Sequence, residues 1–89
     1  MPYGTPVTLG VLDSVARAES ALRRLGFRQL RVRHYGDLAR IEVGADEMAR
    51  AVEERLGVVS AVREAGYAYV TLDLEGFRSG NLNQALPAR

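Results

Sequence analysis

The sequence predicts an α+β fold: a two-layer α-β-β-α-β sandwich whose three-stranded, mainly antiparallel sheet carries helices on one face. Three observations lead to it. Apolar and polar residues alternate strictly on both sides of Gly36-Asp37, the mark of two strands that each bury one face. The stretches before and after that hairpin place apolar residues at helical spacing. A weak internal repeat joins the two halves: ALRRLGFRQLRV at Ala21–Val32 matches AVREAGYAYVTL at Ala61–Leu72, each a helix end, a glycine, an aromatic and a strand. Two copies are too few for a solenoid, so they indicate one sheet fed twice from a helix.

The elements follow in order within a single domain, residues 1–89. Residues 1–8 form an extended lead-in, because two prolines and a glycine leave little room for regular structure. Thr8 is placed to cap a helix running to about Leu25. Leu12, Val15, Ala18, Leu22 and Leu25 make its apolar face, and Glu19, beside that stripe, is expected to pair with Arg23 four residues on. Gly26 closes the helix as a left-handed cap, and Phe27 supplies the hydrophobic contact that follows such caps. The Gly36-Asp37 loop suits a type II′ turn. It sets Leu30 against Val43, Arg31 against Glu42, Val32 against Ile41, Arg33 against Arg40 and Tyr35 against Leu38, so all apolar pairs share one face. Ala45–Ala65 is helical again, with one stripe of Met48, Ala51, Val52 and Leu56 and another of Val58, Val59 and Val62. Gly57 is the expected break in it, costing roughly 1 kcal/mol if it stays helical. Ala68–Leu74 alternates as the third strand. The tail from Glu75 mixes glycine, serine and asparagine; such loops present backbone N–H groups and an arginine, here Arg78, to anions, and also serve as plain connections. Residues 84–89 are expected to fray.

Composition removes several kinds of chemistry. The chain has no cysteine, so disulfides, thiol nucleophiles and thiolate metal sites are out. All twelve Lys/Arg positions are arginine, which removes a Schiff-base or phosphate-loop lysine. A net charge of +1 makes no case for nucleic acid or membrane, and no apolar run is long enough for a signal peptide or span. The default compartment is the cytoplasm. The charge is unevenly spread, with seven arginines against three acids in residues 1–40 and three against eight in residues 41–75. Such polarity suits self-association or docking to a larger partner.

The informative surface is the sheet face turned away from the helices: Arg31, Arg33, Tyr35, Arg40, Glu42, Tyr69, Thr71 and Asp73. Arg33 opposite Arg40 is a destabilising pairing. Glu42 is expected to neutralise one guanidinium at most, which leaves Arg40 without a carboxylate of its own. Two readings stay open. Either the side chains splay into solvent, or the face meets an anion or another subunit's carboxylates, for which the arginine fork is suited. Tyr35 and Tyr69, with Glu42 and Asp73, are of the residue types that build or support an interface. His34 falls on the apolar face and is expected to pack there half-buried.

Three stretches together, PYGTPVT at Pro2–Thr8, LGFRQLRVRHYGDLARIEV at Leu25–Val43 and YVTLDLEGFRSGNLN at Tyr69–Asn83, resemble the C-terminal region of the ATP-dependent sacrificial sulfur transferases. These are the LarE-type members of the PP-loop (adenine nucleotide α-hydrolase) superfamily, and the likeness covers nearly the whole chain. The resemblance implies an activity that adenylylates a carboxylate on a nicotinic-acid-derived substrate and then inserts sulfur, with the C-terminal region driving assembly. It places basic site positions on Arg31, Arg33 and Arg78 and acidic ones on Glu19 and Glu42. Arg40 joins the anion-binding set from the register alone. The family's ATP-binding domain and the sulfur-donating cysteine of many members lie upstream of the PYGT stretch. The chain is therefore expected to be a non-catalytic C-terminal domain or split subunit, acting beside a separate PP-loop ATP-binding subunit, with no catalytic residues or activity of its own. The expected ligand is a phosphate or AMP moiety on the arginine face, with a divalent metal at Glu19 and Glu42 as a weaker possibility. The chain is also expected to form a homo-oligomer. The competing readings are a purely structural oligomerisation module and, ranked last, a KH-like RNA-binding module. The element order fits the last, but Gly57 has no partner for the G-x-x-G clamp.

Overall fold

The computed structural model describes residues 9–77. Helix α1 (Leu9–Arg24) leads into the hairpin strands β1 (Leu30–Tyr35) and β2 (Leu38–Val43). A short 3-10 turn, Ala45–Glu47, then opens α2 (Met48–Glu53) and α3 (Arg55–Glu64), and β3 (Tyr69–Leu72) completes the sheet in the order β1-β2-β3. The α+β sandwich of the sequence reading is what the chain forms. Among the described residues no helix is long and apolar enough to cross a membrane.

The hairpin register is the predicted one, from Leu30 against Val43 to Tyr35 against Leu38. Gly36 takes φ +59° while Asp37 stays at negative φ, as a type II′ turn requires. The sheet is mixed: β2 runs antiparallel to β1 but parallel to β3, with Leu38 against Tyr69 and Ile41 against Leu72. That follows from the connection, since α2 and α3 carry the chain back over one face before β3 begins. The repeat is visible as geometry. Gly26 and Gly66 take φ +107° and +115° at the ends of α1 and α3, and the aromatics that follow, Phe27 and Tyr67, are both buried. At the first end, Phe27 N–H donates to the Leu22 carbonyl and Gly26 N–H to that of Arg23, the paired bonds of a Schellman cap.

The core lies between the helices and the apolar sheet face, with Leu22, Leu30, Ile41, Val43 and Val62 fully buried. Three expectations on the helices are corrected. The break falls at Glu54 (φ −101°, ψ 25°), and Gly57 lies inside α3. Leu12 is 56% exposed because the inward stripe of α1 passes through Val11, four residues before Val15, instead. On α2 and α3 the buried stripe is Ala51, Val58 and Val62, continued by Ala65 just past the end of α3. Val52 and Leu56, at 49% and 76% exposure, lie roughly 100–140° round from it at 100° per residue.

Candidate functional site

Alternation along three strands puts Arg31, Arg33, Tyr35, Arg40, Glu42, Tyr69, Thr71 and Asp73 on the face that no described helix covers. Tyr35 and Tyr69 are more than half exposed there, while Glu42 is only 6% exposed. Glu42 sits on the central strand, so its carboxylate is sheltered by arginines reaching over it from both strands of the hairpin. Arg33 grips it with two bonds, Nε to Oε2 at 3.3 Å and Nη2 to Oε1 at 3.2 Å. Arg40 Nη2 donates to the same Oε2 at 3.1 Å. One carboxylate therefore holds both members of the like-charged pair, which corrects the expectation that it would neutralise only one. Arg40 also has a carboxylate of its own after all, since Asp73 Oδ2 lies 3.6 Å from its Nε. That Nε is buried and makes no hydrogen bond among the described residues. The Arg40 guanidinium stacks over Tyr35, 5.2 Å from the ring centre, and Thr71 Oγ1 donates to the Ala39 carbonyl behind the strand.

Arg31 is the side chain left over. It stands directly opposite Glu42 in the ladder, yet Glu42 turns diagonally to Arg33 and along its own strand to Arg40. Arg31 keeps its own Leu30 carbonyl at a long 3.5 Å and the face of Phe77, 5.4 Å away. Phe77 arrives because the chain doubles back after β3. Glu75 N–H bonds to Asp73 Oδ1, Gly76 N–H to the Asp73 carbonyl and Phe77 N–H to the Val43 carbonyl. A Cβ at Gly76 would stand 2.9 Å from that same carbonyl, so only glycine lets the turn lie this close to β2. Arg78, the fourth expected anion ligand, lies outside the described residues, as do Thr8 and residues 84–89. The described cluster thus sets three guanidiniums against two carboxylates, with its unmatched charge at Arg31.

The two residues expected to hold a metal are engaged elsewhere. Glu19 accepts the Val32 N–H at 3.0 Å, in place of the ion pair expected with Arg23, and Glu42 is taken up by arginines. No group of three or more histidine, aspartate or glutamate side chains among the described residues is placed to hold a metal ion. His34 is half-buried as expected, its Nδ1 2.8 Å from the Tyr67 hydroxyl, and burial pushes that hydroxyl's pKa up.

Two residues that fasten this scaffold escaped sequence reasoning. Glu47 is 5% exposed, and its carboxylate accepts N–H bonds from Arg28 and Gln29 at 3.1–3.2 Å. Burial pushes its pKa up, but those two N–H groups and the Arg28 charge outweigh it and hold the pKa below the ordinary carboxylate range. Arg50 donates to the Leu25 carbonyl at the end of α1, stacks 4.5 Å above Phe27 and bonds Glu54. Only the last of these contacts, at i,i+4, leaves a trace in the sequence.

Two relatives align with 96% of the chain. An uncharacterised protein of Synechocystis sp. is 47% identical over 87 residues. The pyridinium-3,5-bisthiocarboxylic acid mononucleotide synthase of Lactiplantibacillus plantarum is 42% identical over 85 residues. The chain spans about a third of each relative's length, 32% and 31%. No family model matches it.

Proposed function

We propose that this chain serves as a non-catalytic domain or subunit of a LarE-like sulfur transferase. Its roles are assembly and the presentation of an arginine face to a phosphate-bearing ligand. Similarity to a mononucleotide synthase along nearly its whole length supports the enzyme class, and a mononucleotide carries the phosphate that such a face would recognise. The observation that carries the reading is the charge imbalance: Arg33 and Arg40 converge on Glu42, and Arg31 beside them has no carboxylate among the described residues. A phosphate there gains charge-assisted bonds from the exposed guanidiniums.

A second reading is a structural module that oligomerises without a ligand. The double pairing of Glu42 favours it, because the repulsion between Arg33 and Arg40 is already relieved inside the chain. Thermal unfolding separates the two. Under the first reading, millimolar phosphate or AMP raises the midpoint, and Arg31→Ala abolishes the rise while leaving the midpoint without anion within about 2 °C, since an exposed side chain with one long bond and one ring contact contributes little. An unresponsive midpoint in wild type excludes the phosphate face and leaves the structural module.

A further inference from the structure

The two edges of the sheet are treated differently. On β1, the outward Val32 N–H is taken by Glu19. On β3, Tyr69 and Asp73 turn their N–H groups to β2, bonding the carbonyls of Asp37 and Ile41. Strand alternation then turns the N–H and C=O groups of Val70 and Leu72 outward, where no described strand lies. An apolar cavity of about 150 Å³ runs beside this edge, lined by Val52, Val59, Val70 and Leu72 among others and reaching Thr71. Of these, Val52 is 49% exposed, and Leu74, two residues beyond the strand, is 82% exposed. Unpaired backbone beside exposed apolar side chains is what a pairing edge presents.

We infer that this edge receives a second copy of the chain, β3 against β3 antiparallel about a two-fold axis through Thr71. The inference extends the assembly part of the function proposed above and is independent of the anion part. In this register Val70 of one copy exchanges both backbone bonds with Leu72 of the other, so every outward group is satisfied. On the helix side valine meets leucine over the cavity mouth. On the arginine side Tyr69 meets Asp73, and Thr71 meets itself on the axis. No like charges oppose one another. The β1 edge cannot do this. Any two-fold register pairing Leu30, Val32 and His34 sets Arg31 or Arg33 opposite an arginine, which destabilises the ladder, and Glu19 already occupies the Val32 N–H. Charge therefore selects β3 as the self-pairing edge. The product is a continuous sheet with both arginine faces on the same side.

Sedimentation of the 89-residue chain tests this through Thr71→Arg and Thr71→Glu, which place like charges on the axis. Wild type sediments as a dimer at ~100 μM, the range an ordinary interface reaches. Each variant alone is a folded monomer, and an equimolar mixture of the two recovers the dimer. Should either variant unfold, Val70→Pro serves instead, because it removes an outward N–H and no bond to β2; it too is expected to be monomeric. Amide exchange at Val70 and Leu72 slows as wild-type concentration rises. A monomeric wild type, a variant that dimerises like wild type, or a mixture that stays monomeric overturns the interface. A monomer whose midpoint still rises with phosphate overturns the interface alone, and a dimer indifferent to phosphate overturns the anion reading alone.

Discussion

Glu47 illustrates how much of this small fold rests on single side chains. Its carboxylate ties the Arg28-Gln29 turn to the start of the helical return, and its pKa is lowered in the folded state. A group with a depressed folded pKa contributes stability above its unfolded pKa and loses it as pH falls through the folded value. Stability is therefore expected to drop below the ordinary glutamate range in wild type. Glu47→Gln should cost about 1–3 kcal/mol near neutral pH, because a buried amide accepts the two N–H bonds less well and carries no charge for Arg28. Denaturant melts at neutral and acid pH check both points, since the loss caused by the substitution should shrink in acid. The sequence gives no hint of this residue. Its partners are 18 and 19 positions away, and an acid after a strand reads as ordinary surface. Glu42 was legible as a member of the polar face, but alternation says only which way a side chain leaves the strand. It does not say that Glu42 would pass over its direct neighbour Arg31 to hold Arg33 and Arg40.

At the level of elements, the hairpin was fully legible because two local signals agree, a period of two and a turn that permits one register. The third strand was legible from the repeat, down to the glycine and the buried aromatic that precede it. The helical return was harder. A glycine is a natural guess for a break, yet an exposed glycine in a helix interior is tolerated at roughly 1 kcal/mol. A break at Glu54 (φ −101°, ψ 25°) has no local signature in the residue types around it. This yields a direct prediction. At Gly57 an added Cβ meets nothing closer than Leu25 Cδ1 at 4.0 Å, and the glycine takes no positive φ. Gly57→Ala should therefore stabilise the chain by about 0.5–1 kcal/mol. Equal or lower stability in denaturant melts would mean that the helix does not pass through Gly57 as described.

For the whole molecule, a sheet that the described helices cover on one side leaves two unmet requirements, a charged face and an open edge, and each calls for a different partner. The chain spans about a third of its relatives, and it contains no lysine or cysteine. Alone it should release no pyrophosphate from ATP with a carboxylate substrate; a coupled phosphate assay above the no-protein rate would contradict the non-catalytic reading. The central claim is that the arginine face binds a phosphate-bearing ligand. The most direct measurement follows the arginine Nε–H resonances while inorganic phosphate is added to the isotope-labelled chain. The signals of Arg31, Arg33 and Arg40 should move together and saturate with one midpoint, while that of the exposed Arg63 drifts only with ionic strength. If Arg31 and Arg40 shift no more than Arg63, the face binds no phosphate and the claim is wrong.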